Sequence, residues 1–394
     1  MSVAETTRDD AFRREAPLPS QDARPLIVHV IRQFLPNRGG LEDVVSNLGR
    51  QTIARGFRVR VVTLDSLFTE RGKTLPHHEY IGEIEVVRIP WSGSTRYPLA
   101  PQVFRHLADA DLIHVHAIDF FYDALAWGRL LHRKPMVVTT HGGFFHTPNY
   151  AAIKKVWFQT VTRLSALGYD KVIGCSVSDL QQFSRIAGDR TILIENGADI
   201  GKFADGASPT PKRRIVTIGR FSANKRLDNL LEAIAVLRAR DPNWHLDIMG
   251  VEYDLSRKDL LDHMARLKIE DAVSIHVAAD NDTIRGIIGQ ASIFASASDY
   301  EGFGLVALEA MSAGLIPVLN GNAAFAALAD RHSDLVITDF SQPARVADAL
   351  DRTFERLVSD GATVRAKLLS DARAYSWDVV ADRYVSVYKE ILAS

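Results

Sequence analysis

The chain has 394 residues, 46% of them hydrophobic and 24% charged, with a formal net charge of -1 at pH 7. That length exceeds what one hydrophobic core usually serves, so two domains are expected, and the near-neutral charge excludes the strongly basic surface of a nucleic-acid binder. A single cysteine, Cys175, excludes an intrachain disulfide framework and fits a reducing compartment; beside Val172, Ile173 and Gly174 it reads as a buried strand end with no chemical role.

In chain order, residues 1–24 are polar, charged and punctuated by Pro17 and Pro19, and read as a disordered arm without a signal peptide. No apolar run reaches the roughly 18 residues of a membrane span. Short apolar runs then alternate with helical patterns. Strands are expected at Leu26–Ile31, Val59–Leu64, Glu85–Ile89, Leu112–His116, Met136–Thr140, Lys171–Ser176 and Thr191–Ile194, with helices at Leu41–Arg55 and Phe120–Leu131. The pattern restarts with strand Arg214–Ile218, helix Asp228–Arg240, strand His245–Met249, helix Ser256–Leu267, strand Val273–His276, helix Thr283–Gly289 and strand Ser292–Ala295. Gly201–Arg213 is a linker by composition, which sets domains at 25–205 and 206–375 and leaves a C-terminal helix, 376–394, to pack back on the first. Two βα alternations argue for two α/β domains with parallel sheets, whose ligands gather at the C-terminal ends of the strands.

Tyr300–Gly314 carries the most information. It follows the strand ending near Ala297, passes through Gly302-Phe303-Gly304, and enters a segment where Leu305, Leu308, Glu309 and Met311 fit helical spacing. A Gly-rich loop at a helix start offers free backbone N–H groups and the positive end of the helix dipole to a phosphate or sugar. Glu301 and Glu309, eight residues apart, can hold different parts of one extended ligand. Alone, such a pair also fits an ordinary βα turn with a solvated Glu. Four other segments stand at strand ends. Pro36-Asn37-Arg38-Gly39-Gly40 can bring backbone close to an anion. Thr139-Thr140-His141-Gly142-Gly143 offers a His, though a lone His after a strand is more often structural. His114 and His116 read as core-lining. Gly219-Arg220-Phe221-Ser222-Ala223-Asn224-Lys225 offers a forked guanidinium and a mobile point charge that can converge on a diphosphate, with Arg226 a solvated basic turn. Asp247-Ile248-Met249-Gly250 supplies a further close-approach glycine near the nucleotide.

The Glu-Gly-Phe-Gly-Leu and Glu-Ala-Met-Ser-Ala-Gly strings resemble the E-x7-E signature of the retaining GT-B glycosyltransferases of family four, and Gly219–Lys225 resembles that family's Gly-Arg-x4-Lys motif. Asn320-Gly321-Asn322-Ala323-Ala324-Phe325 replaces the Gly-Gly-x-x-Glu of many relatives and is similar to the exopolysaccharide α-mannosyltransferases of xanthan and acetan type. From about Pro25 through Tyr375-Ser376-Trp377-Asp378, the whole chain fits.

The resemblance implies two doubly wound Rossmann-like domains facing across a cleft, acceptor-binding first and nucleotide-sugar-binding second. It implies transfer of a hexose, mannose from GDP-mannose, to a lipid-diphosphate-linked oligosaccharide of cellobiosyl-diphosphopolyprenol type. Arg220 and Lys225 would neutralise the departing diphosphate, and Glu309 would hold the ribose. Glu301 with Gly302, Phe303, Gly304 and Leu305 would bind the sugar. Gly39, Gly40 and Gly250 would approach the nucleotide sugar, and His141 would orient the sugar or assist attack. The catalytic candidates are thus His141, Glu301, Lys225 and Arg220. A family-four enzyme with a UDP-sugar donor and soluble acceptor, a nucleotide-sugar epimerase of the same fold, and a non-catalytic sugar-binding protein remain rivals.

No metal is expected. Asp109-Ala110-Asp111 has D-x-D spacing but precedes strand Leu112–His116, away from the ligand face, and no other cluster has metal-ligand spacing. In Ala151–Lys171, Ile153, Val156, Trp157, Thr160, Leu164 and Leu167 form one stripe, readable as a core-packed helix with a wet basic face. The same stretch could instead meet anionic lipid through Lys154, Lys155, Trp157 and Phe158. That second reading makes the protein cytoplasmic and peripheral at the inner face of the membrane.

Overall fold

The computed structural model describes residues 22–37, 39–142 and 155–394. The chain divides into two compact units, one of residues up to Gly197 together with Trp377–Ser394, the other Ala198–Ser376.

The first unit holds an eight-stranded sheet. Its strands are β1 (Leu26–Val30), β2 (Arg58–Leu64), β3 (His78–Ile81), β4 (Ile84–Ile89), β7 (Leu112–His116), β8 (Met136–Thr139), β9 (Lys171–Gly174) and β10 (Thr191–Leu193), in the order β10-β9-β8-β7-β1-β2-β4-β3. All neighbours are parallel except β3 with β4. A separate hairpin, β5 (Ser92–Ser94) and β6 (Tyr97–Leu99), went unread in the sequence. β1, β7 and β8 are buried along their whole length, their Val, Ile, Leu and Met side chains interrupted only by His29, His114, His116 and Thr139, as expected of parallel strands covered on both faces. Phe121, Tyr122 and Phe183 pack in one core cluster. Leu48, Tyr384 and Tyr388 pack in another, the last two from helix Trp377–Leu392, which lies against helix Gly40–Ala54. Arg55 clamps that helix through Asp382 at 2.6 Å and Asp378 at 3.3 Å.

The second unit holds six parallel strands: β11 (Arg214–Ile218), β12 (His245–Gly250), β13 (Val273–Val277), β14 (Ile293–Ser296), β15 (Ile316–Asn320) and β16 (Val336–Thr338), ordered β13-β12-β11-β14-β15-β16. Trp244 is fully buried edge-on to Phe354 of helix Pro343–Arg373, which departs from helical geometry at Asp360.

The boundary between units lies at 197/198, earlier than the 205/206 read from composition. The Gly/Pro/Ser-rich segment is tied into the second unit. Asp205 N–H donates to Ser312 O and Ala207 N–H to Ala313 O, both at 2.8 Å, and Arg365 grips Asp205 and the Ala207 carbonyl. Ala198 N–H in turn donates to Tyr375 O at 2.8 Å. A segment whose backbone donors are so engaged belongs to the fold it contacts.

A second correction concerns 155–167. Residues Phe158–Thr162 form a π turn before helix Arg163–Ala166, and this wider turn rotates the register. Phe158 is buried edge-on to Phe183, so it meets the core and cannot lie at a lipid surface. Thr162, Ser165 and Ala166 face inward with it. The expected core stripe points outward instead: Val156, Trp157, Leu164 and Leu167 are 65%, 41%, 59% and 65% exposed. Lys155 is exposed, and Lys154 and Ile153 lie outside the described residues. Among the described residues no helix is long and apolar enough to cross a membrane.

Candidate active site

Both sheets have a point where successive connections leave in opposite directions, and there the loops beyond the strand ends part to leave a crevice. In the second unit it lies between β11 and β14, paired in parallel through Ile215↔Ile293. The loops leaving these two strands therefore emerge side by side, which brings together residues 76 positions apart. Lys225 Nζ donates to Glu301 Oε1 at 2.6 Å. Both side chains are largely covered, at 20% and 15% exposure, where an ion pair is less screened than on an open surface. The loops are also stitched by backbone: Asn224 Nδ2 donates to Tyr300 O and Asp299 N–H to Asn224 O, each at 2.9 Å.

Arg220 is exposed on the same loop, its guanidinium 4.8 Å from the Tyr253 ring centre. It lines a small pocket with Gly219, Lys225, Met249 and Ser296. Arg226 is a correction. It takes a left-handed backbone (φ 46) and donates to Asp228 and Asn229 while pairing with Asp299 at 3.4 Å, so it staples the loops rather than standing free in water. Gly250 also has a backbone reason. A Cβ there would sit 1.7 Å from Gly219 O, so the close approach it permits is between the ends of β11 and β12.

Gly304 adopts φ +85 and starts helix Leu305–Ala313 without any side-chain cap, leaving first-turn amides for a ligand. A Cβ at Gly304 would press on Leu328 and Phe325 at 3.0 and 3.1 Å, whereas Gly302 is exposed and uncrowded. Phe303 and Leu305 pack partly against the core, Phe303 edge-on to Tyr375. Glu309 is half-buried on this helix. Burial pushes its carboxyl upward and Asp199 adds to that, while Lys202 opposes it. Lys202 comes from the segment read as linker and Asp199 lies just before it, so nothing in composition pointed to them. The unusual Asn320-Gly321-Asn322 is structural here: both Asn side chains donate to Ser298 O, and Asn322 caps helix Ala323–Ala329.

In the first unit the corresponding point lies between β1 and β7, where His29 pairs with His114. Gly39 and Gly40 begin helix Gly40–Ala54 just beyond β1. A Cβ on Gly39 would lie 2.6 Å from Glu42 Oε2, because Glu42 folds back to accept from Asn37 at 2.6 Å. His141 follows β8 with φ 52 and is half-buried. It ends a chain of rings the sequence did not announce. His29 Nδ1 lies 2.8 Å from His116 Nε2, and His116 Nδ1 lies 3.0 Å from His141 Nε2. Beside it, His114 joins Tyr388 and Thr139 at 2.7 and 2.8 Å. Burial lowers all four pKa values, those of His29 and His141 to about 3, so the rings are neutral at pH 7. Alternation on β7 could have flagged His114 and His116, but only the β1–β7 pairing brings in His29.

The trio His29, His114 and His116 places ligand-type nitrogens within 4.8 Å of one another, against the expectation that no such cluster exists. Both nitrogens of His114 and of His116 are, however, taken up in hydrogen bonds, so ligation of a metal would have to break them. Asp109 pairs with Arg60, and Asp111 accepts from Leu26 N–H at the start of β1. Lys155 and Trp157 lie apart from both crevices in sequence and element, and Gly143 and Lys154 are outside the described residues.

The family description "Glycosyltransferase Family 4" matches residues 38–202 and "Glycosyl transferases group 1" matches 201–366. A Komagataeibacter xylinus protein named GDP-mannose:cellobiosyl-diphosphopolyprenol alpha-mannosyltransferase is 42% identical over 93% of each chain. Its Xanthomonas campestris namesake is 40% identical over 93% of this chain and 97% of that one. A solved glycosyltransferase from Rickettsia africae ESF-5 superposes with a TM-score of 0.71 at 17% identity, covering 94% of this chain and 99% of its own, a likeness of fold. This chain belongs to glycosyltransferase family four and is a glycosyltransferase of the GT-B fold class.

Proposed function

We propose that the protein moves mannose, with retention, from GDP-mannose to a cellobiosyl-diphosphopolyprenol-like acceptor in exopolysaccharide assembly. The Lys225–Glu301 pair at the second unit's crevice carries this reading, and the two relatives named above support its substrates. An ammonium has three donors, so Lys225 can keep Glu301 and still reach a diphosphate oxygen. As the bond from the sugar's anomeric carbon to the diphosphate breaks, negative charge grows on the leaving oxygen. Lys225 and the forked Arg220 meet that charge more strongly in the transition state than in the ground state. The acceptor hydroxyl attacks the same carbon from the leaving group's side, and its proton passes to the departing diphosphate.

Glu301, held by Lys225, accepts from sugar hydroxyls, with the amides of Gly302, Phe303, Gly304 and Leu305 beside it. Glu309 accepts from the ribose. Gly39 and Gly40 approach donor phosphate and acceptor, Gly250 keeps the strand ends close, and His141 faces the sugar. With two cations and helix-start amides on the diphosphate, the reaction needs no metal.

The setting is the cytoplasmic face of the membrane. Helix Phe120–Trp127 and the residues after it expose Trp127, Leu130 and Leu131 at 58%, 85% and 84%. Arg129 donates to Gly168 O and so joins this segment to the exposed Val156, Trp157, Leu164 and Leu167. Exposed Lys155 and Arg163 add positive charge, a combination suited to an anionic lipid surface.

The test is purified protein offered GDP-mannose, UDP-glucose and ADP-glucose in turn, with a cellobiosyl-diphosphate lipid. A mannosylated lipid from GDP-mannose alone is expected. Transfer from another donor only, or conversion of a donor with no acceptor present, overturns the reading.

A further inference from the structure

We infer that His29 and His116 hold His141 as the Nδ1–H tautomer, so that His141 serves as a hydrogen-bond donor and not as a base. Three neutral imidazoles carry one N–H each. The link from His29 Nδ1 to His116 Nε2 is 2.8 Å and that from His116 Nδ1 to His141 Nε2 is 3.0 Å, so each link needs one proton and one lone pair. Only two arrangements satisfy both links. In one, every ring is protonated at Nδ1: His29 donates to His116, His116 donates to His141, and His141 keeps a free Nδ1–H. In the other, every ring is protonated at Nε2 and the donation runs inward, leaving His29 Nε2–H as the terminal donor.

The inner end decides between them. His29 is fully buried, and its Nε2 is enclosed with no hydrogen-bond partner. The inward arrangement would strand an N–H donor there, and orphaned buried N–H groups are the rarer and costlier defect. The outward arrangement leaves only a lone pair in that place. It sends the proton to His141 Nδ1, which among the described residues has no protein partner, on the half-buried residue that follows β8. His114 does not interfere, since Thr139 and Tyr388 hydroxyls can each donate or accept and so suit either of its tautomers.

A neutral His141 with a bare, already engaged Nε2 and an outward Nδ1–H cannot take a proton from an attacking hydroxyl. It can donate to an oxygen of the sugar. His29 and His116 are positioning residues, acting through His141. That last step rests on the proposed function, but the tautomer itself does not.

The experiment is a long-range 1H–15N correlation on full-length protein labelled with 15N-histidine, without donor, using a His141→Asn variant for assignment. Nδ1–H at His141 is expected in the wild type. His116→Leu removes the link and should shift His141 toward Nε2–H, the form free imidazole side chains favour in water, and lower kcat/KM about tenfold, the size of one hydrogen bond. His116→Asn returns an amide donor at the Nδ1 position and should restore both tautomer and rate. A wild-type His141 protonated at Nε2, or a tautomer unmoved in His116→Leu, overturns the inference. Should His116→Leu fail to fold, the wild-type spectrum alone decides. A wrong choice of donor sugar would leave the spectrum unchanged and show only in the transfer assay.

Discussion

The two crevices differ in how much of their polar lining is charged. At β1 and β7 four histidines that burial keeps neutral are joined through their rings, with no carboxylate hydrogen-bonded to a ring among the described residues, and a single ion pair, Arg32 Nε to Asp119 Oδ2 at 3.0 Å, links the loops beyond the strands. At β11 and β14 the polar groups are ions: Lys225 on Glu301, Arg226 on Asp228 and Asp299, and Arg220 with no carboxylate partner among the described residues. Neutral rings can be buried completely because each hydrogen bond satisfies a group without the cost of desolvating a charge. Ions need some water or a charged ligand, so they sit in loops that remain partly open. In the proposed function the first crevice would orient hydroxyls and the second would receive a diphosphate.

The contrast breaks most visibly at Lys225. Lys225→Ala should cost on the order of 10²–10³ in kcat with the fold intact, as for loss of an oxyanion donor, because the charge strengthens toward the transition state. Lys225→Arg should recover only part, since a planar fork cannot copy a compact ammonium. Arg226 cannot serve as the neutral control because it staples the loops; exposed Lys258, on helix Arg257–Leu267, can. Equal, mild losses at positions 225 and 258 in a steady-state assay would remove Lys225 from the diphosphate.

Next in size is Gly250→Ala. The added methyl would meet Gly219 O, backbone that cannot swing away, so the β11 and β12 ends must part. A loss of about 1–3 kcal/mol in stability is expected from the overpacking, read as a lower denaturant midpoint. An unchanged midpoint would mean the strand ends separate freely.

These residues also show where sequence reading reaches and where it stops. Strands Leu112–His116 and Arg214–Ile218 were legible to the residue, because both are short β-branched and Leu-rich runs bounded by polar segments. The Gly-flanked loops were legible as well. The meeting of Lys225 with Glu301 was not, since it depends on β11 lying beside β14, a fact of sheet order and not of spacing. His29 was invisible for the same reason. The register of 155–167 failed because one π turn reverses which residues face inward. Gly201–Arg213 looks like a linker in composition, and its residues 205–208 are held by long-range hydrogen bonds that composition does not encode.

Acid should separate the units. The histidines' folded pKa values lie below the unfolded value of about 6.5, so their neutral burial stabilises fully above that pH. The contribution is lost as pH falls from about 6.5 toward about 3, the folded value of His29 and His141, at up to ~1.4 kcal/mol per pH unit for each ring. Asp119, raised to about 6 by burial, works in the opposite sense and offsets part of one ring. In the second unit Asp228 and Asp247 are lowered from 3.8, so their loss begins only in more acid solution. Hydrogen exchange at pH 5 against pH 7 should therefore show protection falling first in β1, β7 and β8. Equal loss in β11 and β14 would mean the rings do not govern acid stability.

Membrane binding should be a smaller, graded effect. Co-sedimentation with anionic liposomes should weaken severalfold between low and physiological salt as the basic contribution is screened, and Leu130→Ser/Leu131→Ser should weaken it at both. Protein that never sediments at low salt would leave the exposed apolar residues without this role.

The smallest expected effect is none at all, and it probes both crevices together. In the second unit Arg220, Lys225 and the uncapped start of helix Leu305–Ala313 provide positive potential for a leaving diphosphate, so transfer should survive excess EDTA. In the first unit the trio of histidines offers a chelator its one conceivable target among the described residues, yet the nitrogens of His114 and His116 are satisfied by one another's neighbours. Melting temperature should therefore be as indifferent to EDTA as turnover is. The two readouts separate the possibilities. Turnover abolished by chelation and restored by Mg²⁺ or Mn²⁺, with melting unchanged, would put a cation on the diphosphate. A fall in melting temperature restored by Zn²⁺ would put one among the histidines, and would require the hydrogen-bonded chain to open, because a ring nitrogen cannot give the same lone pair to a proton and to a metal.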